Sequence, residues 1–407
     1  MQRWKVNLWV LWLGCFLVSA GMTMITPFLS LYLQEDLGLQ GQHEIGVWAG
    51  FIFASNFITS FFFQPIWGKL SDRYGRKMML LRSGFGMAIV MALMGFATAP
   101  WQLLLLRMLN GVISGYIPAA VSLVSASTPK KKMGFALGTV QSGSIAGTIL
   151  GPLIGGLMAD HFGFRPIFYI TGGLLFLASV LSWIMVKEKF DKQAAALAPR
   201  TSMMGNLRKL LRIRQLPALF SITFLIQFAM LSPMTLIPLY IGNLSGPTDD
   251  IAFWAGFVSA ATGLSNMIAA PLLGKLSDRI GSFWILVICL VGAGLMFIPQ
   301  SFAGSVPELL VYRFLLGCFI GGLTPTVNSL IRRYTPDNSV SQAFGFNSSS
   351  LALGNMVGPI TGGALSGPIG IEGIFLVSAA SLLLTSVWAY ISLRRAGVAP
   401  AHPTGSK

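Results

Sequence analysis

Hydrophobic residues along the chain form long continuous stretches rather than an alternating pattern. Twelve of these stretches are about as long as the roughly 20 residues that a helix needs to cross a bilayer, and the longer ones predict tilted or kinked helices. Continuous apolar runs favour helices over a β-barrel, because a helix satisfies its own backbone hydrogen bonds in lipid. The predicted spans are residues 7–33, 47–67, 78–98, 101–125, 134–159, 164–186, 216–241, 252–273, 283–304, 306–330, 340–366 and 371–393.

The composition supports an integral membrane protein. Of the 407 residues, 54% are hydrophobic and only 10% are charged, whereas soluble domains carry about 25% charged residues. So few charged residues cannot cover a water-facing surface. The composition therefore excludes a soluble enzyme, a disordered chain and a secreted disulfide scaffold. Cys15, Cys289 and Cys318 all fall within spans, which favours packing over disulfides. We expect no metal and no cofactor.

Positive charges collect on one side of the predicted spans. Of the 28 Lys and Arg residues, 25 fall near the chain ends or in or beside the even-numbered gaps, whereas the odd-numbered gaps hold only Arg165. By the positive-inside rule, this distribution predicts a multi-pass protein of the bacterial cytoplasmic membrane with both termini in the cytoplasm. It also explains the net charge of +15 without nucleic-acid binding. The acidic residues of the odd-numbered side are Glu35, Asp36, Glu44, Asp160, Asp249, Asp250, Glu308 and Glu372.

The second half of the chain repeats the first. The segment Gly68–Arg73 recurs letter for letter as Gly274–Arg279, and Arg107 matches Arg313, at an offset of 206 residues. Gly147, Gly151, Gly155 and Gly156 of the fifth span recur in the eleventh at an offset of 207. These matches predict a duplicated six-helix unit with both copies in the same orientation.

The repeat sets the expected domains and suggests a mechanism. We predict a six-helix bundle over residues 1–186, a cytoplasmic linker over 187–215, and a second bundle with a short cytoplasmic tail over 216–407. Parallel six-helix halves are a known transporter plan, with the substrate site between them near the midplane. Two similar rigid units can rock about a shared axis, which opens a central cavity to one side of the membrane or the other.

The segment Gly68-Lys69-Leu70-Ser71-Asp72-Arg73-Tyr74-Gly75-Arg76-Lys77 resembles the loop 2–3 motif of the major facilitator superfamily. The resemblance covers nearly the whole chain. It implies an all-α integral membrane fold in which twelve transmembrane helices form two pseudo-symmetric six-helix bundles. Within the superfamily, the chain resembles the twelve-helix drug:proton antiporters.

The resemblance also implies a role for this loop, which in the family latches the two halves together on the cytoplasmic side. From the residues alone, Gly68 and Gly75 permit close approach and positive φ, and Asp72 can cap a helix start. The second copy is a degenerate latch, because Ser282 and Phe283 stand where Arg76 and Lys77 would be expected. A topology anchor alone is the alternative. The candidate latch residues are Gly68, Asp72, Arg73, Gly75, Arg76, Asp278 and Arg279.

The chain offers few candidates for proton coupling. No acidic residue falls near the middle of a predicted span, so the carboxylate candidates lie at span ends, at Glu35, Asp36 and Asp160, or in the latch. Arg107 resembles the fourth-span arginine that the family links to proton transfer. A lone arginine costs about 2.5–3.5 kcal/mol on membrane-insertion scales, so we expect a partner or a wet cavity, with snorkelling to the interface as the alternative.

The fifth span carries a stripe of small residues. Glycine at about every fourth position provides a smooth surface for close helix packing, and the proline predicts a kink. The stripe resembles the motif that marks drug:proton antiporters, although packing alone would also explain it. Its residues are Gly143, Gly147, Gly151, Pro152, Gly155 and Gly156.

Further segments resemble a multidrug efflux subgroup, namely Trp12–Phe16, Leu80–Ser83 with Gly86–Met91, and Gly134–Thr139. This resemblance implies export of chemically varied drugs in exchange for protons, with fosfomycin among the implied substrates. It also places spans 1, 4, 7 and 10 around the cavity. The candidate cavity residues on those spans are Phe28, Tyr32, Asn110, Tyr116, Gln227, Met230, Tyr240 and Asn328.

The sequence thus predicts a secondary transporter, not an enzyme. Its partners would be a small-molecule substrate, protons and membrane lipids, and we expect a monomer. Without a buried acid, neutral, anionic or zwitterionic cargo is favoured over cations. Proton-coupled export of drugs or other small antimicrobial compounds is the leading hypothesis, and a superfamily carrier of a metabolite such as a sugar or organic acid is the alternative.

Overall fold

The computed structural model describes residues 3–129, 133–188, 210, 212–213, 215–245, 250–335 and 340–394. Within these ranges all regular elements are helical, and eleven helices are long and apolar enough to cross a membrane. The last of these covers 51 residues, or about 77 Å at the usual rise per residue, which is long enough to cross twice. It breaks at Gly370, where φ is 73°. The twelve predicted crossings are therefore confirmed.

The helices fall into two sets of six spans. The first six spans are Arg3–Ile25 with Leu29–Glu35, Gln42–Tyr74, Arg76–Met94, Pro100–Ile113 with Tyr116–Ser127, Met133–Phe162, and Arg165–Met185. The second six are Gln215–Leu231 with Ile237–Ser245, Ile251–Ile280, Ser282–Ser301, Val306–Tyr334, and the two parts of Val340–Arg394 on either side of Gly370. Much of the predicted linker, including residues 189–209, lies outside the described residues.

Spans 2 and 8 are longer than their apolar stretches. The apolar stretches predict that span 2 ends at residue 67 and span 8 at residue 273, but the helices run to Tyr74 and Ile280. Each helix ends at a glycine with φ of 96°, Gly75 or Gly281, a conformation that favours glycine. The predicted turn after span 2 is therefore a single residue. The expectation of positive φ at Gly68 is wrong, since Gly68 lies inside the helix.

Spans 1 and 7 are interrupted at matching positions. Short 3-10 segments, Thr26–Phe28 and Met234–Leu236, separate the two helical parts of each span. A proline lies in or directly before each segment, Pro27 and Pro233; proline lacks the backbone N–H that a continuous α-helix would use. The structure thus retains the duplication in its helix breaks as well as in its sequence.

Each set of six spans forms one bundle. Span 5 packs along span 1 in the first bundle, and span 11 packs along span 7 in the second. Between the bundles, span 2 packs against span 11 and span 5 against span 8. We call the end that carries Glu35 and Asp160 the acidic end, and the end that carries Lys77, Arg332 and Arg333 the basic end.

Candidate transport pathway

At the acidic end the two bundles touch backbone to backbone. Gly363 of span 11 lies so close to Gly46 of span 2 that a methyl group on it would collide with the Gly46 carbonyl. On the other side, a methyl group on Gly156 of span 5 would lie 2.6 Å from the carbonyl oxygen of Ala252 in span 8. Small residues permit such close approach of helices. The space between the bundles is therefore closed at this end.

A hydrogen bond to a carboxylate also joins the two bundles at this end. The Asp160 carboxylate accepts a 2.7 Å hydrogen bond from the backbone N–H of Phe253. Phe253 lies in the first turn of span 8, whose free N–H groups and helix dipole favour a negative charge. At the opposite interface, an offset of 207 residues puts Gly367 at the matching position, where it lies against the ring of His43. The two interfaces therefore differ in charge.

The other acidic candidates lie nearby but make different contacts. Asp36 forms a 3.2 Å ion pair with Arg165, which stays within the first bundle. Glu35 lines a pocket of about 740 Å³ between the acidic-end parts of spans 1 and 7, together with Gln34 and Asn243. The structure therefore places all three candidate carboxylates at one end of the molecule, and of these Asp160 bonds across the bundle interface.

Toward the basic end the bundles separate. The basic halves of spans 1 and 7 pack within their own bundles, and polar side chains become exposed inside the spans, for example Ser142 and Thr148 on span 5 and Thr324 on span 10. Spans 1 and 7 pack against the other bundle through their acidic-end parts. A space therefore remains between the bundles toward the basic end, which we call the chamber and which opens at that end.

A polar cluster from the second bundle lies in this half of the molecule. Thr223 of span 7 donates a 2.6 Å hydrogen bond to Asn347 of span 11, and the Asn347 amide lies 3.4 Å from the Asn328 side-chain oxygen on span 10. Asn328 remains partly exposed. Gln227, one turn beyond Thr223, is also partly exposed and contacts span 11 at Gly354. The structure thus brings together two predicted cavity residues and adds Thr223 and Asn347, which the sequence did not single out.

The three predicted cavity tyrosines point elsewhere. Tyr32 and Tyr240 bond through their hydroxyls to the carbonyls of Ala97 and Gln300, and Tyr116 bonds to Ser182. Each tyrosine is no more than 2% exposed, and each of these partners belongs to the tyrosine's own bundle. In this structure they do not line the chamber; they stabilise the bundle interiors.

The remaining cavity candidates are divided. Phe28 is buried in the 3-10 segment at the acidic-end closure. Asn110 is fully buried and donates a 3.0 Å hydrogen bond to Asn56 of the same bundle. Met230 is partly exposed on span 7. The structure therefore places Phe28 and Asn110 away from the open chamber.

The glycine stripe of span 5 faces span 1. Methyl groups on Gly143, Gly147 and Gly155 would meet the backbone carbonyls of Trp12, Phe16 and Met24, and one on Gly151 would meet Thr23. The helix continues through Pro152 to Phe162. The predicted close packing is confirmed, and the partners are span 1 for these four glycines and span 8 for Gly156.

The two intramembrane arginines are enclosed by their bundles. Arg107 is 3% exposed and Arg313 is 6% exposed, so the snorkelling alternative is wrong. In each, Nε and Nη2 have no hydrogen-bond partner among the described residues. The Arg313 guanidinium lies over the rings of Phe297 and Phe375, 5.9 and 5.6 Å from their centroids, which is within cation–π range.

The loop between spans 2 and 3 is held by a residue that the sequence did not suggest. The Glu188 carboxylate, just beyond span 6, accepts hydrogen bonds from the backbone N–H groups of Arg76 and Lys77 at 3.0 and 2.8 Å. It thereby caps span 3, the role that the sequence suggested for Asp72. The side chains of Asp72, Arg73 and Asp278 lie outside the described residues, and Arg279 is exposed.

Comparison with known proteins agrees with this architecture. The family model of the Major Facilitator Superfamily matches residues 11–299 and 250–406. The multidrug resistance protein MdtG of Dickeya zeae is 40% identical over 96% of this chain and 95% of its own length. MdtG of Salmonella typhimurium is 40% identical over 97% of this chain and 96% of its own length.

Solved structures share the fold at lower identity. A bacterial homologue of the human lysosomal transporter Spinster, inward-facing and unoccupied, superposes with a TM-score of 0.81 at 15% identity, covering 98% of this chain and 99% of that one. An auto-inhibited POT family peptide transporter gives a TM-score of 0.80 at 15% identity, with the same coverage. With two six-helix bundles, a repeated loop motif and relatives that match along its whole length, the chain belongs to the major facilitator superfamily.

Proposed function

We propose that this protein exports drugs or other small antimicrobial compounds from a bacterial cell in exchange for protons. The observation that carries this proposal is a chamber closed at one end by backbone contacts and open at the other, in a chain 40% identical to multidrug resistance proteins over nearly its whole length. Rocking of two such bundles exposes a central site alternately to the two sides of the membrane.

The charge distribution orients the molecule. Lys77, Lys187, Arg332 and Arg333 lie at the basic end, and positive charge favours the cytoplasmic side. Both termini are then cytoplasmic, and this structure is the state that loads cargo from the cell interior. The helix ends and single-residue turns at Gly75 and Gly281 latch the bundles together when the chamber closes on that side.

The chamber favours uncharged or anionic groups on the cargo. Its polar cluster consists of amides and a hydroxyl, and the described acidic residues of the spans lie at their ends. Amide and hydroxyl groups can both donate and accept hydrogen bonds. A cationic drug would therefore find no opposite charge in the described part of the chamber, whereas a zwitterion or phosphonate can be bound by hydrogen bonds.

Asp160 is our first candidate for the proton site. Its carboxylate can bind the start of span 8 only while the acidic end is closed, and a charged acceptor makes a stronger hydrogen bond than a neutral one. Protonation from the outside would weaken that bond and so favour opening. Glu35 in the adjacent pocket is the second candidate, whereas Asp36 is occupied by Arg165. Arg107 stays a proton-coupling candidate inside the first bundle.

Proteoliposomes test the function directly. We expect an imposed pH gradient to drive fosfomycin or a fluorescent dye across the membrane. We also expect that adding cargo on one side makes protons move the opposite way, so that the pH gradient collapses faster. If sugars or organic acids were transported and drugs were not, the metabolite carrier would be favoured instead.

The variant Asp160→Asn tests the proton site. Asparagine keeps a neutral acceptor for the Phe253 N–H, so we expect downhill cargo exchange to persist while uphill transport driven by the pH gradient is lost. Asp36→Asn is the matched control, because it breaks the ion pair with Arg165 within one bundle and should leave coupling intact. Equal coupling in Asp160→Asn and the unmodified protein would exclude Asp160.

A further inference from the structure

Span 4 is broken near its middle. Its first helix ends at Ile113, Ser114 and Gly115 are not helical, and the second helix begins at Tyr116. Gly115 has φ of 140°, which favours glycine. Such a break leaves the carbonyls of the preceding turn without backbone partners, and unsatisfied carbonyls are costly at membrane depth.

Side chains from two neighbouring spans satisfy these carbonyls. Ser60 and Trp67 of span 2 donate hydrogen bonds to the carbonyls of Gly111 and Val112 at 3.1 and 2.6 Å, and Ser114 itself also donates to Gly111 at 2.9 Å. Arg82 of span 3 donates to the carbonyl of Ile113 at 3.0 Å. The Arg82 guanidinium also lies over the Trp67 ring, 3.4 Å from its centroid. We call Ser60, Trp67 and Arg82 the span 4 clasp.

The second copy has neither the break nor the clasp. At an offset of 206 residues, the clasp positions hold Asn266, Leu273 and Ile288, none of which reproduces the stacked Trp–Arg pair. Span 10 is one continuous helix from Val306 to Tyr334. It retains a glycine, Gly321, at the position of Gly115, so the glycine alone does not break the helix. The break and the clasp therefore occur together.

The two parts of span 4 are held differently. The first part is fixed at the break by the clasp, and the second part is anchored at its start, where Tyr116 bonds to Ser182. From there it extends to Ser127 at the basic end, which is the end at which the chamber must close. The surroundings of Gly115 are open: a Cβ placed on it would lie 3.8 Å from the nearest atom, Arg82 Nη2. This leaves room for the backbone to turn.

We propose that Trp67 and Arg82 are positioning residues that hold a hinge at Ser114–Gly115, so that the segment Tyr116–Ser127 swings as a separate unit when the chamber closes at the basic end. Because span 10 is a continuous rod, the first bundle supplies the bending element of this closure and the second supplies a rigid surface. The role in transport rests on the proposed function; the hinge itself does not.

Distance measurements test the hinge without any cargo. Spin labels at positions 126 and 177, both exposed, would report the angle of the second part of span 4 against span 6, in nanodiscs and with Cys15, Cys289 and Cys318 replaced. We expect one narrow distance in the unmodified protein and at least a twofold broader distribution in Arg82→Ile and Trp67→Leu, the residue types of the second copy. Ile288→Ala, at the matching exposed position, should change nothing.

Milder variants protect the test against simple misfolding. Arg82→Lys retains a donor for Ile113 but loses the planar stacking on Trp67, so we expect an intermediate width. Distributions in Arg82→Ile, Trp67→Leu and Arg82→Lys that equal the unmodified one would overturn the hinge.

Transport kinetics then connect the hinge to the cycle. We expect Arg82→Lys to lower the maximal transport rate at least threefold with the KM for cargo unchanged within twofold, since the clasp does not touch the polar cluster. An altered KM at an unchanged maximal rate would overturn the positioning role. If no drug is transported by any form, the proposed function fails, but the distance measurements still decide whether the hinge exists.

Discussion

The two bundles repeat their backbone packing but only some of their polar side chains, such as the buried Arg107 and Arg313. Gly147 of span 5 lies on the backbone of Phe16 and Ala20 in span 1, and Gly354 of span 11 lies in the same way on Phe224 and Phe228 of span 7. By contrast, the buried Asn110–Asn56 pair of the first bundle is replaced by Leu316 and Thr262 in the second. Close helix packing tolerates few alternatives to glycine, whereas polar groups could diverge, so the differences between the bundles locate the specialised sites.

The interfaces between the bundles show the same division. Both interfaces use glycines for close approach at the acidic end, but one adds the Asp160 carboxylate where the other has Gly367. The shared glycines thus provide the closure itself, and the added carboxylate can make that closure sensitive to protons. Variants at matching positions can separate the two contributions.

The largest effect is expected from filling either glycine contact. Gly156→Ala and Gly363→Ala each place a methyl group against a carbonyl of the opposite bundle, and such overpacking costs about 1–3 kcal/mol, or at least about fivefold in the equilibrium between closed and open states. We expect transport in proteoliposomes to fall by at least that factor in both variants, because the cycle needs the acidic end to close.

Matched controls exist on the same helices. Gly138 of span 5 and Gly345 of span 11 have no atom within 4 Å of the position that a Cβ would take. Gly138→Ala and Gly345→Ala should therefore transport normally. If only one of the two interface variants lost activity, the interfaces would not be equivalent and the closure would depend on one side of the molecule.

The span 5 stripe shows how far the sequence could predict this architecture. Glycine spacing predicted a closely packed face, and the structure confirms it. The spacing could not show that Gly143 and Gly151 meet span 1 whereas Gly156 meets the other bundle. Contacts between residues far apart in the chain, such as Glu188 with Arg76 or Arg82 with Ile113, leave no local pattern in the sequence.

The cavity prediction failed at the tyrosines for a related reason. Tyr32, Tyr116 and Tyr240 lie on spans 1, 4 and 7 as predicted, but the sequence did not show which face of each helix carries them. In a soluble helix the polar side indicates the exposed face. In lipid both the outer surface and the bundle interior are apolar, so periodicity does not distinguish them, and the tyrosines proved to face their own bundle interiors.

The next prediction compares Asn110 and Asn328, both of which the sequence suggested as cavity residues. Asn328→Ala removes a partly exposed amide from the chamber, and we expect a several-fold higher KM with normal amounts of folded protein. Asn110→Ala leaves Asn56 without its buried partner, at a cost of about 1–3 kcal/mol, so we expect less folded protein and an unchanged KM. Uptake kinetics together with size-exclusion profiles measure both. A raised KM in Asn110→Ala alone would reverse the assignment.

The smallest effect concerns the two matching loops at the basic end. Glu188 caps the start of span 3 with two bonds from a charged group, whereas Ser282 at the start of span 9 bonds to the hydroxyls of Ser277 and Ser329 at 2.8 and 2.9 Å. Hydrogen bonds to charged groups contribute about 1.5–3 kcal/mol and neutral ones about 0.5–1.5 kcal/mol. Glu188→Ala should therefore lower the unfolding temperature by a few degrees, and by more than Ser282→Ala.

Lys187→Ala is the control for this comparison, because Lys187 bonds to Asn7 only through its backbone N–H and carbonyl. Its melting temperature should match that of the unmodified protein in a thermal unfolding assay in detergent. Equal losses in Glu188→Ala and Ser282→Ala would mean that the carboxylate adds nothing to span 3 beyond what hydroxyls provide at span 9. The two loops would then be equivalent in stability despite their different partners, and Glu188 would be one more interchangeable contact rather than a specialisation of the first bundle.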